Sequence, residues 1–351
     1  FKLNATGSAM VYGSYLGGQE SQWQFNRPDP IVNPAASEQA FDIAVDSNGN
    51  AVVVGWTRST SFPVTAGALE PVFDGPFQQP PNPFAPFGVN PGTDGFITKI
   101  DQDATTLVFS TYMGGRNNDD CTGVAIDPDG NIYATGTTLS TGGPLPDGSV
   151  PPGVFVTTPG AFDRTVINND AWVLKLPTSG LSRTWATVVG GNDDDFGIDV
   201  DVDPFGDVYI TGNTFSTNYP TTIAAFDRQY NNGADMFVTR IFRDGARLVY
   251  STLCGSAPDQ YPNALVVDDT GVAYIVGTSI FGGLATTTDG FDDTFEGPDP
   301  PFNDDLYIGD AFIQAYNDSG SNILYGSYIG GEEGDQAIGC ALDPSRSLYI
   351  A

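Results

Sequence analysis

LVFSTYMGGRNNDDCTGVAIDPDGNIYATGTTLS, residues 107–140, holds the plan of the whole chain. A run rich in β-branched and aromatic residues ends in Gly114-Gly115. An acidic loop follows, a second run closes on Asp127, and a third begins at Ile132. Short runs of this composition, bounded by Gly, Pro, Asn and Asp, read as strands. In the turn Asp127-Pro128-Asp129-Gly130-Asn131, proline pre-sets the first turn angle and the leading Asp can bond the turn backbone. Gly130 supplies the positive φ that a type I turn needs before its closing residue. The turn is therefore a β-hairpin.

The same unit recurs on Asp46, Asp127, Asp203, Asp268 and Asp343, at intervals of 65 to 81 residues. A period of this length marks a repeat architecture. The turns are DSNGN (46–50), DPDGN, DPFGD (203–207), DDTGV (268–272) and DPSRS (343–347). In the last, Arg346 stands where the others have glycine, which leaves its hairpin geometry less determined. A third strand opens with Asp in DGFITKI (94–100), DAWVLKL (170–176), DMFVTRI (235–241) and DAFIQAY (310–316). A fourth runs to the Gly-Gly region in LVFSTYMGG, RTWATVVGG, RLVYSTLCG and ILYGSYIGG. Four antiparallel strands per repeat fit a propeller blade, and the period is too long for a β-solenoid of one turn per repeat. No amphipathic helix of useful length is present.

The expected fold is thus all-β, a β-propeller in a single domain. It has four complete blades (about 41–115, 121–191, 196–255 and 261–331) and two terminal half-blades (1–18 and 336–351). The halves either meet to close a five-bladed ring or belong to a larger propeller. Both ends fall inside strands, where domain boundaries rarely lie, so a longer parent polypeptide is expected.

The repeated motifs, together with Phe62-Pro63, Gly67-Ala68-Leu69, Pro159-Gly160-Ala161-Phe162 and Tyr219-Pro220-Thr221-Thr222, resemble the bacterial β-propeller repeat called SBBP. The resemblance spans nearly the whole chain. It implies a secreted or cell-surface protein, commonly one module of a large bacterial polypeptide without assigned chemistry.

The 351 residues carry 43 acidic and 13 basic side chains, a net charge of −30. Such a surface repels nucleic acid and anionic membranes. No apolar run is long enough to span a bilayer as a helix. Three cysteines, Cys121, Cys254 and Cys340, read as small buried hydrophobes rather than a disulfide framework. Histidine is absent, which removes His-based triads and His metal sites. The Gly-Gly pairs end strands and form no phosphate loop.

Propeller topology puts the two hairpin turns of each blade on one face and gathers the long inserts and blade-to-blade loops on the other. Acidic residues in those loops, Asp119, Asp120, Asp194, Asp195, Asp259 and Asp335, are candidate Ca²⁺ ligands, since calcium takes six to eight oxygens. The plainer alternative is a set of Asp side chains holding loop backbone. Asp201 stands where other repeats have Ala or Val, which points to a wet channel or a raised pKa. Aromatics in Pro-rich inserts form a candidate partner surface: Trp23, Phe25, Phe77, Phe84, Phe87, Phe302 and Tyr307. Alternatively such aromatics, Phe73 among them, fold down and cap the blades.

The expected function is a non-catalytic extracellular module, structural or adhesive, with self-association or other surface proteins as partners and assembly into a fibre or surface layer. Unpaired strand edges would serve that assembly. The rival is a propeller that binds or cleaves polysaccharide with paired carboxylates.

Overall fold

The structure, a computed structural model, describes residues 1–4, 6–18, 38–75, 92–254, 260–296 and 309–351. Blade one comprises β3 (Glu38–Val45), β4 (Ala51–Thr57), β5 (Asp94–Ile100) and β6 (Leu107–Met113). It follows the short strands β1 (Lys2–Leu3) and β2 (Met10–Tyr12). Blade two is β7 (Gly123–Ile126), β8 (Ile132–Thr138), β9 (Asp170–Leu176) and β10 (Trp185–Val189). Blade three is β11 (Asp195–Val202), β12 (Val208–Thr214), β13 (Asp235–Ile241) and β14 (Leu248–Leu253). Blade four is β15 (Gln260–Val267), β16 (Ala273–Ser279), β17 (Asp310–Tyr316) and β18 (Ile323–Ile329). The hairpin β19 (Cys340–Leu342) and β20 (Leu348–Ile350) ends the chain. Each blade is a four-stranded antiparallel meander, and the first strands of successive blades pack in the order β3, β7, β11, β15, β19.

The hydrophobic cores lie between blades. One joins Val52, Val54 and Ile97 of blade one to Ile132, Trp172 and Leu174 of blade two. The next joins Tyr133 and Val173 to Ile210 and Phe237, and a third joins Tyr209 and Val238 to Leu265 and Phe312. A strand with both faces against neighbouring sheets is buried along its whole length, as β8, β12 and β17 are, and buried hydroxyls there are bonded: Thr135 donates to Trp172 O and Thr211 to Phe237 O. Cys121 and Cys254 are free and buried within these walls, whereas Cys340 is half-exposed.

The terminal halves do not close a ring. β1–β2 and β19–β20 are separate two-stranded sheets, and among the described residues no ladder joins β20 to β1. Each half packs on its own neighbour instead. Leu16 meets Phe62 and Tyr112, while Leu348 and Ile350 meet Val276 and Ile313. Apolar residues stay uncovered at both ends of the arc. Tyr15 is fully exposed, whereas its repeat equivalents Tyr112 and Tyr328 are 1% and 2% exposed. Ile43 is 59% exposed where Val124, Val200 and Leu265 are buried.

The five turns adopt the expected geometry. Gly49, Gly130, Gly206 and Gly271 have φ between 80° and 86°, and Arg346 is forced to 64°. Asp343 keeps that turn intact by accepting from Ser345 N and Ser347 N, both at 2.8 Å. Left-handed backbone costs a non-glycine residue about 1 kcal/mol. Arg346 also pairs with Asp269, but both side chains are exposed and such a pair contributes little. Arg346→Gly should therefore raise the unfolding free energy by up to about 1 kcal/mol. A loss of stability in urea would show that the ion pair outweighs the strain.

Candidate functional site

The acidic blade-to-blade loops, a candidate site in the sequence, share one geometry at four of the five joints. Eight residues before each turn Asp stands Glu38, Asp119, Asp195, Gln260 or Asp335. The four acids accept the backbone N–H of the second glycine in the preceding Gly-Gly pair: Gly18 to Glu38 (2.9 Å), Gly115 to Asp119 (2.8 Å), Gly191 to Asp195 (2.7 Å) and Gly331 to Asp335 (3.1 Å). Hydroxyls from the end of the second strand and just beyond complete the clamp. Thr138 and Ser140 donate to Asp119, and Ser216 donates to Asp195 at 2.8 Å.

The Asp that opens each third strand stands beside this clamp. Asp94, Asp170, Asp235 and Asp310 each use Oδ2 to accept an N–H from the returning insert: Asp74, Ile167, Asn231 and Glu296, at 2.7–2.8 Å. A Cβ on Gly190 would stand 2.2 Å from Asp170 Oδ1 and 2.9 Å from Asp195 Oδ2. The first glycine of the pair is thus required by two carboxylates, a constraint beyond ending a strand.

Crowding buried acids shifts their protonation. Burial, opposed by the Asp74 N–H and reinforced by Asp119, Glu70 and Asp74, raises the pKa of Asp94 to about 8. Burial and the nearby Asp195, Asp163 and Asp194 raise Asp170 to about 8. Burial raises Asp119 to about 7, and it raises Asp195 and Asp235 to about 6. Oδ1 of Asp94, Asp170 and Asp235 accepts no hydrogen bond. That is where a proton reduces the cost of an unsatisfied buried carboxylate.

The remaining candidates are engaged locally. Asp120 Oδ1 accepts Thr137 N at 2.7 Å, and Asp194 Oδ1 accepts Asn169 Nδ2 at 3.0 Å. Among the described residues, no set of three or more acidic or cysteine side chains is grouped to hold a metal ion. Asp119, Asp194 with Asp195, and Asp335 serve separate joints. Asp259, Trp23, Phe25, Phe77, Phe84, Phe87, Phe302 and Tyr307 lie outside the described residues. Several described insert aromatics fold down: Phe62 stacks on Phe96 and Tyr219 on Phe237, both at 4.6 Å, and Phe73 packs against Tyr112, whereas Phe291 is exposed.

Toward the axis, acids stitch first strands together. Asp42 Oδ2 accepts Val124 N, Asp199 Oδ2 accepts Leu265 N and Asp201 Oδ2 accepts Val267 N, at 2.7–2.8 Å. Burial raises Asp201 to about 6, and burial with nearby Asp42 raises Asp199 to about 8. On the hairpin face the turn acids take cations from third strands. Lys99 reaches Asp46 at 2.9 Å, and Arg240 reaches Asp203 and Asp207 at 2.9 Å. Asn131 N and Nδ2 both donate to Asp127, so the segment resembling a calcium loop is closed by its own side chains.

Sequence reading missed Glu38 as a member of the clamp. Its signal was available in the fixed offset of eight residues from the turn Asp.

Residues 108–144 match the SBBP family, described as a beta-propeller repeat. No curated protein matches the chain. Among solved structures, it is similar to a gluconolactonase from Xanthomonas campestris, at 15% identity and a TM-score of 0.38, over 89% of this chain and 68% of that one. A protein of unknown function from Dyadobacter fermentans gives 14% identity and a TM-score of 0.45, over 91% and 75%. A PL25 ulvan lyase gives 8% and 0.35, over 88% and 72%. Likeness at this level extends no activity to this chain.

Proposed function

We propose that this chain, a β-propeller carrying the SBBP-type repeat, is a non-catalytic structural or adhesive module that works outside the cell. The observation that supports this most is the use made of its recurring polar residues. The clamp acids, third-strand Asp residues and turn acids hold loop ends, blade joints and hairpins and recur with them, and the axial Asp residues bond the backbone of a neighbouring blade. Catalytic groups, in contrast, are set apart from such structural duty by placement around one reacting centre. The absence of histidine agrees with this reading. So does the resemblance to repeats of secreted proteins, and no helix of the described residues is long and apolar enough to cross a membrane.

Light scattering on native material, with calcium and then with a chelator, tests the reading. Assemblies larger than one chain are expected. Dissolution on chelation would assign calcium a part in the contact, and persistence would show that the contact does not need it. A compact monomer in both conditions would overturn self-association.

A further inference from the structure

We infer that the outer edge of each blade is a strand-addition surface held shut by the chain's own insert, and that a second copy of this chain adds an outer strand there once the insert is released. The fourth strand of a blade, β6, β10, β14 or β18, neighbours only the third strand in its sheet. An edge of this kind presents a row of N–H and C=O groups that templates another strand. In all four blades the insert after the second strand returns over that row.

In blade two the insert touches β10 at two points. Thr158 N donates to Ala186 O at 3.0 Å, and Ala186 N donates back to Thr158 Oγ1 at 3.0 Å. Five residues on, Asp163 N donates to Thr187 Oγ1 at 2.9 Å, and Val188 N donates to Asp163 O at 3.2 Å. Thr187 Oγ1 also lies 3.1 Å from Val188 O. The outward N–H and C=O groups of Ala186 and Val188 are therefore all engaged. Thr65, Thr222 and Thr287 make the same pair of bonds to Ser110, Ser251 and Gly326, at 2.9–3.2 Å. Five residues beyond each, Glu70, Asp227 and Asp292 accept the N–H of Tyr112, Leu253 and Tyr328 at 3.0–3.1 Å.

This contact is a strap and not a fifth strand. Between the two points a tight turn closes with Ala161 N on Thr158 O at 3.2 Å. Past the second point the Asp163 carboxylate accepts Arg164 N and Thr165 N, which turns the chain away. A segment so short and broken offers no ladder of its own. What it covers is well suited to strand addition. The outer strands read LVFSTYM, WATVV, LVYSTL and ILYGSYI, rich in β-branched and aromatic residues. None carries the charge or proline that protects an exposed edge, so the protection rests on the strap.

The test substitutes Thr222 in the full chain. Thr222→Val removes the hydroxyl acceptor and keeps the shape, and Thr222→Pro removes the N–H donor as well. Amide hydrogen exchange at Ser251 and Leu253, with Ile210 of β12 as reference, reports on the edge. Light scattering over a concentration series reports on addition. Exchange at Ser251 should rise about tenfold in Thr222→Val with Ile210 unchanged. Thr222→Pro should form assemblies beyond those of wild type, in which Ser251 and Leu253 are protected again by the added strand. Unchanged exchange at Ser251 in both variants, faster exchange without added mass in Thr222→Pro, or assemblies whose two amides stay unprotected would overturn the inference. If Ile210 also exchanges freely in Thr222→Pro, that variant has unfolded and Thr222→Val decides: Ser251 exchange equal to wild type would overturn the strap. Each variant is compared with wild type under the same conditions. A monomeric wild type would therefore retire the self-association proposed above and leave this test intact, and failure here would leave that reading standing.

Discussion

Unfolding free energy measured in urea across pH will be greatest near about pH 4 and will fall by several kcal/mol toward about pH 9. The sign follows from which state holds more protons. In the folded chain Asp94, Asp170 and Asp199 stay protonated up to about 8, and Asp119 up to about 7. In the unfolded chain each loses its proton near 3.9. Between those values the folded state binds more protons, so rising pH favours unfolding and the contribution is lost as each group passes its folded pKa. The groups facing them are acids: Asp119, Glu70 and Asp74 around Asp94, Asp195, Asp163 and Asp194 around Asp170, and Asp42 and Asp201 around Asp199. Asp46 works in the opposite sense below pH 4. Burial would raise it, but Lys99 and Asn50 outweigh burial and hold it at about 2. Its share of stability is therefore lost only in strong acid. Asp170→Asn, which places a permanent neutral amide at one joint, should be near neutral at about pH 5 and stabilising at about pH 9. Gln260, at the clamp offset of the joint between blades three and four, already carries a neutral amide. A profile that is flat or rises between pH 5 and 9 would show that these carboxyls are ionised in the fold.

Lys99→Met should cost about 3–5 kcal/mol at pH 7. Lys99 is 1% exposed, in the middle of a blade, and its ammonium lies 2.9 Å from Asp46, whose side chain is 2% exposed. Methionine keeps the packing volume but leaves Asp46 as an uncompensated buried carboxylate. The double variant Lys99→Met with Asp46→Asn should recover much of the loss, because the turn bonds from Asn48 and Asn50 can still be accepted by an amide oxygen. A single variant within about 0.5 kcal/mol of wild type would mean that water reaches this pair. The equivalent position in blade four is Ala315, with no cation to lose, so the requirement is local to the blade.

Blade count, strand boundaries and the hairpin turns were legible because each rests on local chemistry repeated five times. The interval between Asp127 and Asp203 carries the same instruction as that between Asp203 and Asp268. Whether the ends meet is a different kind of property. It depends on the cumulative angle between blades, to which every wall contributes and which no single motif encodes. The acids divided in the same way. Their placement in the blade-to-blade loops followed from topology, whereas the partner of each carboxylate depended on backbone directions inside the loop. Asp119 and Asp120 are adjacent in sequence, yet one clamps Gly115 and the other caps Thr137.

Because each apolar core is shared by two adjacent sheets only, duplicating or deleting one repeat changes how many walls there are, not what any wall contains. Stability is then close to a sum of blade and wall contributions, so a lesion in one wall is felt by the two blades that share it and not by the walls beyond them.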